Sequence, residues 1–365
     1  MQTPEIPDER PRRPTGGCPY EGVPKIKVTR SVRIFLIPVL LSKAESATIG
    51  MSHSADGAYH TAEAITMSKR RLNRFVSLTL ILALAWTWAA AYAESAATAQ
   101  NPNGERGFQI HFLNQGRVDA ILIVSNGEAM FIDSGYRQNG LKCINYMKRM
   151  GITKLRYYVG THAHKNHIGG AAPIIYTMRP EKILIPHEGV KTAIIKYAAP
   201  GEERQVVEGA NYTVLSPGSV LSWNDLTLTC LGPLKIEKCS SGSGRENYNS
   251  LILRIDRGNR QMVLLTGDTS SRILSRIERY QPGAIRAEVL KNPHHNTAQP
   301  ESILKIIAPK VVAVCNSGRP SSTYRKRISK LGSVFYAACR SGNGSFMLED
   351  AGGNWMVAEN TDGIF

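Results

Sequence analysis

After residue 106 the chain runs in short apolar blocks whose period changes repeatedly. The stretch FQIHFL at 108–113 alternates apolar and polar positions, as a half-buried strand does. Residues 120–124 and 129–132 are continuous apolar runs separated by Ser125-Asn126-Gly127-Glu128, which predicts a hairpin. Residues 141–150 have helical spacing, with Leu141, Ile144, Tyr146 and Met147 on one face, and stop at Gly151. Strands are predicted at 157–159 and 182–185, then at 214–215, 226–231, 250–255 and 261–266. Helices follow at 271–280 and 300–307, with further strands at 287–290, 311–314, 334–337, 344–348 and 355–357. Two sets of strands, each with its own helices, predict an α/β fold in which two sheets pack face to face with helices outside. The Gly/Ser-rich stretch CSSGSGR at 239–245 reads as a surface loop inside one domain.

The segment before this body has a different character. Lys69, Arg70, Arg71 and Arg74 precede an apolar run at 75–91, and the small-x-small triplet Ala91-Tyr92-Ala93 closes it. That is the layout of a secretory signal peptide at 67–93. The run is about 17 residues, near the lower limit for a membrane span, so cleavage and secretion are expected; a retained leader would tether the body to a membrane. The only apolar run within 1–66 is broken by Pro38. Translation is therefore expected to begin at Met67, with 1–66 an upstream extension. Residues 94–106 read as a flexible lead-in, and 107–358 as the folded body.

Composition narrows the class. With 42% hydrophobic and 20% charged residues, the chain is neither collagen-like nor low-complexity disorder. Its net charge is +16, and the part after residue 93 still carries +11, from 33 basic and 22 acidic residues. Such a charge favours polyanions such as nucleic acid or an anionic surface and says nothing about fold. Five cysteines remain in the body, an odd count that leaves at least one thiol unpaired while admitting one or two disulfides. No Walker loop or Rossmann fingerprint occurs, so nucleotide-cofactor chemistry is not indicated.

Five of the nine histidines fall in two clusters. The first is Thr161-His162-Ala163-His164-Lys165-Asn166-His167-Ile168-Gly169-Gly170, directly after a predicted strand. At a strand-to-loop junction the side chains at i and i+2 point the same way, and a following turn returns i+5; three converging imidazoles suit zinc. The second cluster, Asn292-Pro293-His294-His295-Asn296, also follows an apolar strand. Between them Leu265-Thr266-Gly267-Asp268 sets a carboxylate on a tight turn, a candidate bridging ligand. Asp133 occupies a similar strand-end position and is expected to orient imidazoles from behind. The isolated His111 and His187 read as structural.

The order and spacing of these motifs, together with Asp119-Ala-Ile-Leu-Ile, Phe131-Ile-Asp-Ser-Gly and Asn249-Ser-Leu-Ile-Leu, resemble the metallo-β-lactamase-fold hydrolases. The branch they resemble is the C-terminal domain of the ComEC/Rec2 DNA-uptake proteins. The resemblance implies a four-layer αββα sandwich. It also implies one or two Zn2+ ions per chain, with Mn2+ as another divalent choice. His162 and His164 would hold the first ion. His167 with one of His294 and His295 would hold the second, and Asp268 would bridge the two. Asn249 would support the site from behind. Hydrolysis would then proceed by metal-bound hydroxide, with Asp268, Asn166 and His167 at the reacting centre.

The chain departs from that pattern at Asn166, where the family motif H-x-H-x-D-H has an aspartate. It also lacks the family's separate third histidine, and Asn296 stands where glycine is common. A neutral amide in the aspartate position weakens the second ion's site. The resemblance and the charge together predict an exported phosphodiesterase or nuclease, with Lys291 and Arg319 contacting substrate phosphate. The rival expectations are a β-lactam or lactone hydrolase of the same fold, and a DNA-binding module with a degenerate metal site.

Overall fold

In the computed structural model the described residues are 107–363 except 317 and 340. The expected extension, leader and lead-in (1–66, 67–93 and 94–106) lie outside them.

The chain starts with three antiparallel strands, β1 (Phe108–Phe112), β2 (Ile121–Ser125) and β3 (Glu128–Ile132). The β2–β3 hairpin turns on Asn126 and Gly127, both at positive φ (54° and 80°), as the Asn-Gly pair predicts. Helix α1 (Arg137–Arg149) leads to β4 (Tyr157–Val159). Two helices follow, α2 (Lys165–Ile168) and α3 (Ala171–Met178), and then β5 (Lys182–Ile185). Helices α4 (Glu188–Tyr197) and α5 (Glu202–Glu208) return the chain to β6 (Tyr212–Val214). The second half opens with β7 (Val220–Trp223), β8 (Leu226–Gly232), β9 (Ile252–Arg257) and β10 (Arg260–Leu265). It continues through α6 (Ser271–Tyr280), β11 (Val289–Lys291), α7 (Glu301–Ile307), β12 (Val311–Cys315), α8 (Ser322–Lys330) and β13 (Val334–Ala338). The final hairpin, β14 (Phe346–Ala351) and β15 (Asn354–Glu359), pairs with β1 and so closes the first sheet.

The strands form an eight-stranded sheet, ordered β15-β14-β1-β2-β3-β4-β5-β6, and a seven-stranded sheet, ordered β13-β12-β11-β10-β9-β8-β7. Alternation along each strand sorts the apolar side chains into layers. Ile121 and Ile123 of β2 face the core between the sheets with Trp223, Leu228, Leu253, Ile255, Val263 and Leu265. Leu122 of the same strand faces outward with Phe131, Met147 and Ile175, under α1, α3 and α4. Helices α6, α7 and α8 cover the outside of the other sheet through Leu274, Leu304 and Tyr324. The result is the expected αββα sandwich.

Several details differ from the sequence reading, which also lacked helices α4 and α5. Helix α3 was not predicted, because its residues are almost all buried and carry no polar stripe to reveal a helical period. The body continues past 358, where Thr361 is buried and the Asp362 carboxylate accepts the Ser345 N–H at 3.0 Å. All five cysteines of the body are free thiols, so the admitted disulfides do not form among the described residues. Among those residues no helix is long and apolar enough to cross a membrane.

Candidate metal centre

Within each sheet the strands β3–β5 and β10–β12 run parallel, and the chemistry-bearing residues follow their carboxyl ends. Crevices outside those ends are where ligands bind in such sheets. The first sheet contributes Asp133 after β3 and the segment 161–167 after β4; the second contributes Asp268 after β10 and the segment 292–295 after β11. Two local devices aim these side chains. Gly267, at φ +51°, turns the Thr266-Gly267-Asp268 corner so tightly that a Cβ would lie 2.9 Å from Ser250 Cβ. His294 and His295 themselves occupy left-handed backbone, at φ 50° and 57°. The Asn292 amide holds that loop by donating to the carbonyls of His295 (2.8 Å) and Thr297 (3.0 Å).

The clusters converge on one carboxylate oxygen. Asp268 Oδ2 lies 3.2 Å from His167 Nε2, 3.5 Å from His295 Nε2 and 3.8 Å from His294 Nε2. His167 Nδ1 donates to Asp133 Oδ2 at 2.6 Å, and His295 Nδ1 donates to the Cys315 carbonyl at 3.1 Å, so both Nε2 atoms face Asp268. His162 and His164 repeat the pattern. The Thr161 hydroxyl spends its proton on Asp133 Oδ2 (2.7 Å) and therefore accepts from His162 Nδ1 (3.0 Å). His164 Nε2 donates to the Ser243 carbonyl at 3.0 Å. His162 Nε2 and His164 Nδ1 then face each other as lone pairs at 2.9 Å. Two facing acceptors need a shared cation or a proton between them.

Charge points the same way. Asp119, Asp133 and Asp268 are three buried carboxylates beside a single buried lysine, Lys291. Burial holds the His162 pKa well below the usual imidazole value, which keeps its lone pair free. Burial also works against the charged form of His167, but the carboxylates of Asp268 and Asp133 outweigh it and raise its pKa well above the ordinary value. The same pairing, with Lys291 added, holds Asp268 well below the carboxylate range against the opposing effect of burial. Asp268 Oδ1 and Asp119 Oδ1 are buried without a hydrogen-bond partner. Imidazole nitrogens and anionic oxygens of this kind fit a divalent cation. Among the described residues, Asp119, His167, Asp268 and His295 form the group close enough to hold one. Within that group Asp119 reaches the rear nitrogens, 3.3 Å from His295 Nδ1 and 3.8 Å from His167 Nδ1, so its place is behind the imidazoles.

Asn166 faces the site, but as a donor: its Nδ2 lies 3.1 Å from His295 Nε2. Asn249 is buried and binds the Glu237 backbone and Glu246. Two expected phosphate contacts are placed elsewhere. Lys291 is only 1% exposed, ion-paired with Asp119 and donating to the Gly267 carbonyl at 2.9 Å, so it cannot meet a substrate at the mouth. Arg319 is exposed and is not among the residues lining the cleft. A cleft of about 370 Å³ opens onto Asp268, His294 and His295, and the cation at its wall is the exposed Arg117, beside Tyr136 and Asn247. Sequence reasoning missed Arg117 and Glu246, and noted Asp119 as part of a motif without giving it a role. Asp119 had one available signal, an acid set immediately before an apolar strand. His187 is not isolated: its Nε2 lies 3.0 Å from Glu246 Oε1. His111 is a core residue, its pKa lowered to about 3 by burial.

No family model matches the chain. Among curated proteins it is similar to Recombination protein 2 of Haemophilus influenzae, with 28% identity over 220 residues, 58% of this chain and 24% of that protein. It is also similar to ComE operon protein 3 of Bacillus subtilis, with 28% identity over 185 residues, 48% of this chain and 22% of that protein. The chain thus spans about a quarter of the length of these relatives. Among solved structures it is similar to the metallo-beta-lactamase fold protein YhfI of Bacillus subtilis (TM-score 0.45, 15% identity, covering 67% of this chain and 100% of that one). It is also similar to the metallo hydrolase Igni18 of Ignicoccus hospitalis (TM-score 0.46, 15% identity, with the same coverages). With its two sheets, their flanking helices and a histidine–aspartate cluster at the strand ends, the chain is an αββα sandwich with a candidate metal centre, similar in sequence to Recombination protein 2 and ComE operon protein 3.

Proposed function

We propose that the protein is an exported, divalent-cation-dependent hydrolase that cleaves phosphodiesters of nucleic acid. One observation carries the reading: imidazole nitrogens from both histidine clusters meet at Asp268 Oδ2, with their rear nitrogens already committed as donors. A divalent cation bound there supplies Lewis acidity and lowers the pKa of water toward neutrality. The chain's own residues do the rest. Asp133 holds the ring of His167, the Cys315 carbonyl holds that of His295, and exposed Arg117 offers charge to a phosphate entering the cleft. The net charge of +11 after residue 93 and the similarity to proteins named for recombination and for the ComE operon favour nucleic acid as the substrate. Export rests on the basic–apolar–small pattern at 67–93.

The test is hydrolysis of single- and double-stranded DNA with Zn2+ or Mn2+, alongside nitrocefin and a lactone. Turnover of DNA that is abolished by chelator and by His164→Ala supports the reading. Turnover of nitrocefin or the lactone alone overturns the substrate, and tight DNA binding with no turnover by cation-loaded protein overturns the enzyme. N-terminal sequencing of secreted protein tests export.

A further inference from the structure

The loop at 233–249 has little regular structure before its single 3-10 turn, Gly244–Asn249, yet it supplies the carbonyl that takes the His164 proton. What fixes that loop is a buried acid. Glu246 is 1% exposed, and its carboxylate joins three segments distant in sequence. Oε1 accepts the N–H of Ala163, the residue between the two facing histidines, at 2.9 Å, and lies 3.0 Å from His187 Nε2. Oε2 accepts from Asn249 Nδ2 at 2.7 Å and from the Cys239 thiol at 3.4 Å. Asn249 cannot turn its amide over: Oδ1 accepts the Glu237 N–H at 2.6 Å and Nδ2 donates to the Glu237 carbonyl at 3.0 Å. Burial alone would raise the Glu246 pKa, and these donors hold it below the ordinary glutamate value, so the carboxylate is an acceptor on both oxygens.

We propose that Glu246 is the positioning residue for the His162–His164 pair: it clamps the Ala163 peptide to the loop bearing Ser243 and so fixes His164 as the Nε2–H tautomer, with its Nδ1 lone pair turned to His162. Glu246 touches neither substrate nor cation; it acts through the peptide and the loop. The cation arm of the test rests on the proposed function, while the tautomer arm does not.

The test uses Glu246→Gln, which keeps an acceptor for Ala163 but sets an NH2 against the fixed Asn249 donor, and Asn249→Ala, which frees the loop from the other side. Imidazole 15N NMR of the cation-free protein reads the tautomer directly. The expected result is Nε2–H for His164 in the natural protein and a mixture of tautomers in both variants. Co(II) affinity, read from its visible spectrum, is expected to fall about 10–100-fold, the usual range when a partner behind a ligand is lost. A purely structural role would lower the melting temperature and leave the tautomer unchanged. Folded variants that keep the natural tautomer, or a natural protein whose His164 carries its proton on Nδ1 and none on Nε2, overturn the proposal. If Glu246→Gln does not fold, Asn249→Ala decides alone. If the natural protein binds no Co(II), the proposed function fails and the NMR result still decides on Glu246.

Discussion

Asn166 Nδ2 lies 3.1 Å from His295 Nε2, so an amide hydrogen points at the lone pair that faces Asp268. The side chain in the family's aspartate position therefore satisfies a nitrogen that a cation would otherwise claim. Asn166→Asp replaces that donor with an anionic acceptor and leaves His295 facing a carboxylate. Cation content per chain, measured after equilibrium dialysis, is expected to rise, with affinity higher by about 10–100-fold. Lower cation content in the variant would mean that residue 166 does not face the bound ion.

Lys291 is the single ammonium among three buried carboxylates, and it secures both Asp119 and the Gly267 carbonyl. Lys291→Met keeps the volume and removes the charge. Stripping one partner from a buried pair costs about 3–5 kcal/mol. Urea unfolding of the cation-free protein is expected to show a loss of that size. A change under 1 kcal/mol on the same order-of-magnitude scale would mean that the pair is not desolvated as described.

Gly267→Ala introduces a side chain where φ is +51° and where Cβ would stand 2.9 Å from both Ser250 Cβ and Oγ. The left-handed backbone alone costs about 1–2 kcal/mol, and relief of the contact must move the corner that carries Asp268. Both stability and cation affinity are expected to fall, the second measurable by isothermal titration.

Glu288 links the second sheet to β15 by pairing with Arg260 and accepting the Trp355 indole N–H at 2.8 Å. Burial pushes its pKa up, and the bonds from Arg260 and Trp355 outweigh burial to bring it below the ordinary glutamate value. A carboxyl with a depressed folded pKa contributes stability that is present above its unfolded pKa and lost as pH falls through the folded one. Glu288→Gln is therefore expected to flatten the acid side of the stability–pH curve below about pH 4.5. Parallel curves for the two proteins would contradict this assignment.

The motifs at 161–170, 265–268 and 292–296 were legible because each is local: a strand, a turn and a run of chemistry-bearing residues follow one another in the chain. The two sheets were legible for the same reason, through period-two alternation in strands such as β1. Lys291 was misread because a lysine closing an apolar strand looks like a surface residue; the aspartate that buries it precedes β2, in the other sheet. Helix α3 and edge strand β7 were missed for opposite reasons. The first is buried nearly all round, and the second leaves Val220 58% exposed, so neither carries the amphipathic pattern that marks such elements. Glu246 sits in a stretch whose serines and glycines suggest only a surface loop, and its partners at 163 and 187 are joined to it by folding alone.

Because His162, His164 and His167 hang from one sheet while Asp268, His294 and His295 hang from the other, a bound ion would act as a rivet through both halves of the sandwich. Any slippage of one layer along the other pulls the donors apart before the core itself opens. Heating the loaded protein should then release the ion and the fold in a single event, and the ion's concentration should set the temperature at which that happens.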